Sequence, residues 1–179
     1  MQSELMITAI REGGVLQGAQ QAPERNRMLQ ETCGLRFNEN AEYALIAGCY
    51  SPYLEPQDMK AFGKLLDHYG IDYTLLPKEY CCGGLLYTHA LDEKHEGDME
   101  QADDLAREFL DRNLEQAREL GASKILAYCG GCDMAFNRVR AEETEEFIWH
   151  PTLLARLFDH LLDLLLRHFC VSFLCLILA

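Results

Sequence analysis

The chain is 179 residues long, 49% apolar and 25% charged, enough for one globular domain with a real core and short appendages. Its net charge of −13, from 29 acidic against 16 basic residues, argues against nucleic acid or an anionic membrane surface as a partner, since both need clustered Lys and Arg. Eight cysteines stand out, and the opening "MQSELMITAIREGG" lacks the basic stretch and apolar run of an export signal. The protein is therefore expected in the cytoplasm, where clustered thiols serve metals or redox chemistry rather than stable disulfides.

Residues 1–40 carry short apolar stretches broken by Gly13, Gly14, Gly18 and Pro23, and read as a partly helical lead-in. Cys33 lies there, apart from the other thiols, and reads as an ordinary cysteine rather than a ligand. "YALIAG" is a nearly continuous apolar run, as expected of a strand buried on both faces, and it ends at Cys49. In "EPQDMKAFGKLLDHYG", Pro56 opens a helix, Met59, Phe62, Leu65 and Leu66 share a face, and Gly70 stops it. "DYTLLP" is the next strand and runs into Cys81 and Cys82.

A long helix follows, with Met99, Ala102, Leu105, Ala106, Phe109, Leu110, Leu114, Ala117 and Leu120 at helical spacing and Gly121 at its end. "KILAY" is a third strand and delivers Cys129; "DMAFNRVRA" is a short helix, "EEFIW" a fourth strand and "PTLLARLFDHLLDLLL" another helix. Strands alternating with helices predict an α/β fold: a parallel sheet of about four strands flanked by helices, with the cysteines at the carboxyl ends of the strands. Ligands of open parallel sheets bind beyond those ends, so Cys49, Cys81, Cys82, Cys129 and Cys132 are expected to converge on one point.

Adjacent cysteines need an explanation. Neighbouring Cα atoms across a trans peptide sit about 3.8 Å apart, short of the usual disulfide span of about 4.4–6.8 Å. The C-x-x-C at Cys129 and Cys132 serves zinc, iron–sulfur and thioredoxin-like sites alike. A structural zinc is satisfied by four ligands, so five converging thiolates favour a polynuclear cluster. Gly83, Gly84, Gly130 and Gly131 allow close backbone approach to a bulky inorganic core, and helix N-termini expected just after Cys82 and Cys132 would favour thiolate charge. Two other readings stand beside this one. The first is a colourless zinc-stabilised interaction module that uses four of the five thiols. The second is a metal-free thiol–disulfide oxidoreductase acting through Cys129 and Cys132.

"GCYSPYL", "YCCGGLLYTHA", "NLEQARELGASKILAYCGGCDMAF" and "WHPTLLARLF" together resemble one cysteine-rich CCG domain. That domain occurs in heterodisulfide reductase and in related iron–sulfur subunits of lactate, glycolate and glycerol-3-phosphate oxidation systems. The likeness covers roughly residues 43–158 and implies a CCG iron–sulfur-binding domain over residues 41–160. It implies a [4Fe-4S] cluster, noncubane in the heterodisulfide reductase members, with Cys49, Cys81, Cys82, Cys129 and Cys132 as its ligands. Adjacent cysteines would then reach different irons. The implied function is that of an iron–sulfur oxidoreductase subunit that relays electrons or reduces a disulfide. Its implied partners are other oxidoreductase subunits carrying flavin or iron–sulfur clusters. The sequence departs from the family in a longer stretch between Cys82 and Cys129, where "LDEKHEGDMEQADD" looks like an acidic insertion, in having one such domain where many members have two, and in its ending "LLRHFCVSFLCLILA".

The remaining candidates have plainer readings. His89 and His95 read as surface residues, and His150 as closing a turn before Pro151. Residues 161–179 form an apolar tail in which Cys170 and Cys175 are small hydrophobes. Its "FCVSFLCLILA" holds 11 uncharged residues against the roughly 20 that span a bilayer, so it reads as a helix docking on a partner or as the end of an interrupted longer chain. "AREFLDRNLEQAREL" reads as a solvated helix face, and no phosphate loop, serine-nucleophile motif or dinucleotide fingerprint is present.

Overall fold

The computed structural model describes residues 2–13, 22–37, 40–93, 96–140 and 146–149. The strands β1 (Tyr43–Ile46), β2 (Tyr73–Leu75) and β3 (Lys124–Ala127) pair in parallel, with Tyr43 opposite both Tyr73 and Lys124. Beside β3 runs β4 (Glu146–Trp149), also parallel, giving the order β2-β1-β3-β4. Every side chain of β1 and β2 is buried, which is why their sequences read as unbroken apolar runs.

Seven helices cover the sheet among the described residues: α1 (Gln2–Gly13), α2 (Ala22–Cys33), α3 (Ser51–Leu54), α4 (Pro56–His68), α5 (Gly84–Glu93), α6 (Glu96–Glu119) and α7 (Gly130–Val139). Alternation along β1 sends Ala44 and Ile46 to one face and Tyr43, Leu45 and Ala47 to the other. The first face meets Ile10 of α1, Phe109 and Leu114 of α6 and Phe136 of α7. The second meets Leu29 of α2 and Met59 and Leu66 of α4. The crossover from β1 to β2 thus carries its helix on one face, while that from β2 back past β1 to β3 carries α6 on the other. Right-handed crossovers running in opposite directions require this arrangement. The reversal falls between β1 and β3, and the crevice of an open sheet lies at that point.

Two segments differ from expectation. The acidic stretch after Cys82 is not a loop: α5 buries Leu86, Tyr87 and Ala90, and α6 already begins at Glu96. The lead-in also packs on the sheet, with Ile7 and Ile10 in the first core and Leu29 and Cys33 in the second. The final predicted helix, His95, His150 and the tail with Cys170 and Cys175 lie outside the described residues, as does the side chain of His89. Among the described residues, no helix is long and apolar enough to cross a membrane.

A polar tie joins the three helices on the first face. Tyr87 Oη donates to Asp103 Oδ1 at 2.9 Å, and Arg138 NH2 donates to Asp103 Oδ2 at 3.0 Å. The hydrogen bond from Arg138, helped by that from Tyr87, holds the Asp103 carboxyl below the usual carboxylate range. A depressed carboxyl stabilises the fold above its unfolded pKa of about 3.9, and that contribution is lost as pH falls through the lower folded value. Asp103→Asn is therefore expected to lower Tm at neutral pH, with the gap to wild type closing as both are acidified below about pH 3. A gap that persists unchanged in acid would assign the effect to packing instead.

Candidate metal centre

Three loops bring the sequence-predicted cysteines together. Cys49 follows the end of β1 by three residues and Cys129 that of β3 by two. Cys81 is farther out, six residues past β2, with residues 76–80 intervening. Cys81 Sγ donates to Cys49 Sγ at 3.7 Å. Cys82 is in hydrogen-bond contact with Cys81 and Cys132, and Cys132 with Cys129, so one series of sulfur–sulfur contacts joins all five. Each is a free thiol, four buried and Cys129 half-buried. Cys33 is buried too, but in the core on the opposite face with Leu29 and Leu35.

The thiols differ in how readily they ionise. The hydrogen bond with Cys81, then burial, pushes the Cys49 thiol far up. At Cys82 the hydrogen bond from Cys132 favours the thiolate, but contact with Cys81 and burial outweigh it and the pKa rises. Cys132 is raised by its hydrogen bonds to Cys129 and Cys82 and by burial. Cys129 goes the other way, to about 6, because Cys132 donates to its sulfur and, against burial, the N–H groups of Cys132 and Gly131 face it. Cys129 is the N-cap of α7, with extended φ −85° and ψ 127°. The helix expected to start after Cys132 therefore starts before it, and its free N–H groups serve Cys129. At the start of α5, Gly84 N–H donates to Cys82 Sγ at 3.4 Å, as a helix beginning just after Cys82 should.

Gly48 sits where these loops meet. Its φ is +83°, and a Cβ there would lie 2.9 Å from Cys129 Cβ and 3.8 Å from Cys132 Sγ. Glu79 ties the same residue to the Cys81 loop: its Oε1 accepts the Gly48 N–H at 2.8 Å and its Oε2 the Ala47 N–H at 2.9 Å. Arg25 of α2 donates through NH2 to Gly48 O at 2.8 Å and to Glu79 Oε2 at 3.2 Å. The pair is buried, with side chains 2% and 1% exposed.

The backbone of the loop before Cys81 is held largely by side chains. Asn26 Nδ2 donates to Leu76 O and Pro77 O. Gln116 accepts the Lys78 N–H and donates to Lys78 O, both at 2.8 Å, and Asn113 does the same for Tyr80, also at 2.8 Å. Two amides one helical turn apart thus treat residues 78 and 80 as the edge of a strand. The stretch "AREFLDRNLEQAREL" is accordingly not just a solvated face. The sequence reading missed Asn113, Gln116, Glu79, Arg25 and Gly48. The signal open to it was a polar Asn on the apolar flank of α6, between Leu110 and Leu114.

Among the described residues, no three Cys, His, Asp or Glu side chains surround a common point at metal-holding distance; the sulfurs stand in contact with one another instead. The donor set itself is soft, all-sulfur and larger than four, which fits a polynuclear iron–sulfur group better than a single zinc. Protons shared among buried thiols are what such a group would displace on binding.

A parallel α/β sheet that gathers five thiols from three strand-end loops defines a cysteine-rich ligand domain. The CCG family, described as "Cysteine-rich domain", matches residues 43–137, more than half of the chain and all five of these cysteines, and the chain belongs to that family. Among curated proteins it is similar to a subunit of the dihydromethanophenazine:CoB–CoM heterodisulfide reductase of Methanosarcina barkeri, 27% identical over 110 residues that make up 61% of this chain and 25% of that protein. The Methanosarcina acetivorans protein of the same name is 26% identical over 134 residues, 72% of this chain and 31% of its own. That of Methanosarcina mazei is 27% identical over 99 residues, 55% and 22% respectively. The matched regions thus span less than a third of each relative's length. No solved structure matches.

Proposed function

We propose that Cys49, Cys81, Cys82, Cys129 and Cys132 hold an iron–sulfur cluster, a [4Fe-4S] group of the noncubane kind, and that the chain is the cluster-bearing part of a cytoplasmic oxidoreductase of heterodisulfide reductase type. The observation that carries this reading is the unbroken series of sulfur contacts linking five thiols from three loops. Family membership and relatives named as parts of a heterodisulfide reductase support it. The cluster supplies one-electron exchange. The chain's own contribution is to supply the thiolates, to aim the Gly84 N–H at Cys82 sulfur, and to wall off water with Leu86, Phe109 and Phe136 of the surrounding core. Its role is to relay electrons between partner subunits that carry flavin or iron–sulfur groups, with direct disulfide reduction as the alternative use of the same site.

Cys129 and Cys132 favour a second reading. A half-exposed thiol of depressed pKa at a helix N-terminus, with a buried thiol behind it, is the arrangement of a thiol–disulfide oxidoreductase. Iron and acid-labile sulfide content, measured with an absorption spectrum on protein purified without oxygen, decides between them. About four irons and four sulfides per chain with a brown chromophore is the expected result. Stoichiometric zinc without visible absorption, or a metal-free dithiol, would replace the cluster reading.

A further inference from the structure

We propose that Glu79 and Arg25 are positioning residues of this centre: the carboxylate locks the Cys49 loop to the Cys81 loop, and the guanidinium balances its charge beside the thiolates. The proposal rests on the iron–sulfur reading above. Glu79 lies two residues before Cys81, yet its two oxygens accept the N–H groups of Ala47 and Gly48, the two residues before Cys49. Arg25 holds the other end of the Gly48 unit through its carbonyl. The peptide on either side of Gly48 is thus fixed from α2 and from the Cys81 loop together.

Stability alone does not call for such a pair, because well-packed apolar side chains of similar volume usually serve a core as well or better. Burying it carries a cost: among the described residues, Arg25 Nε has no hydrogen-bond partner. What the pair supplies is direction and charge. Its members lie out of water's reach, so a change in either charge is felt at the nearby sulfurs with little screening. Removing Arg25 leaves a carboxylate that two backbone N–H donors keep ionised, and removing the Glu79 charge leaves a guanidinium that does not lose its proton. The two losses therefore act on the cluster with opposite sign.

The test uses the full chain, reconstituted with iron and sulfide in the absence of oxygen, as wild type, Glu79→Gln, Arg25→Met and the double variant. The midpoint potential of the cluster is expected to rise in Glu79→Gln, fall in Arg25→Met and return near wild type in the double variant. Shifts of the same sign in both single variants, or none, would overturn the charge-balancing role. If the single variants do not fold, the uncharged double variant still reports: a potential far from wild type sinks the idea. A second readout needs no iron. In metal-free protein treated with diamide, which takes up two electrons and two protons as the disulfide forms, mass spectrometry follows the Cys49–Cys81 link that a 3.7 Å contact permits. Glu79→Ala is expected to slow that link by about tenfold or more, and an unchanged rate would overturn the locking role. Wild-type protein that takes up no iron would instead sink the cluster reading, leaving the loop lock to stand or fall on the diamide result.

Discussion

Cys82→Ser is expected to drop the iron content of reconstituted protein from about four per chain to below about one, while Cys33→Ser leaves it unchanged. Cys82 is the middle of the sulfur series, touching Cys81 and Cys132 and receiving the Gly84 N–H. Serine keeps nearly the same volume, so the fold should tolerate it, but its hydroxyl is a harder donor that stays protonated at neutral pH and does not replace a thiolate. Cys33 is just as buried and is the control for packing damage, since it sits in the core on the far side of the sheet. Equal losses in both variants would trace the effect to the fold. Undiminished metal in Cys82→Ser would mean that four thiols suffice, the pattern of a zinc module.

Gly48→Ala is the second change with a large expected effect, a loss of about 2–4 kcal/mol in unfolding free energy. Part of that is backbone: a side chain at φ +83° costs about 1–2 kcal/mol. The rest is collision, because the new methyl would lie 2.9 Å from Cys129 Cβ, an atom next to the backbone that cannot swing away like the tip of a long side chain. Relief has to come from moving the Cys129 loop outward, so metal uptake should fall along with stability. Urea unfolding and iron assay on the same preparation check both. A variant as stable as wild type would show that the two loops part without cost, and that their close approach is incidental.

The α/β character and the convergence of the thiols were legible because both rest on local pattern. Two-sided burial writes continuous apolar runs such as "YALIAG", and α6 writes its apolar stripe at helical spacing. The short α5 escaped because its buried set, Leu86, Tyr87 and Ala90, covers barely one turn before acidic residues take over. Gly48 read as the end of a strand, since a glycine's neighbours in space are not encoded beside it; Cys129 lies more than 80 residues on. Arg25 and Glu79 were silent for the same reason: 54 residues separate them, and in sequence each is one charge among many. Side chains that answer a loop's backbone leave no periodicity to detect.

That last class of contact has a consequence for timescale. Lys78 and Tyr80 lie in a loop, yet their amide protons point into the side chains of Gln116 and Asn113 on a 24-residue helix. In native-state hydrogen–deuterium exchange these two amides should be protected as strongly as the interior of α6 itself, since exposing them requires that helix to lift away. The segment leading to Cys81 and Cys82 would then be ordered before any metal arrives, and loading would proceed without the entropic penalty of freezing a mobile ligand loop.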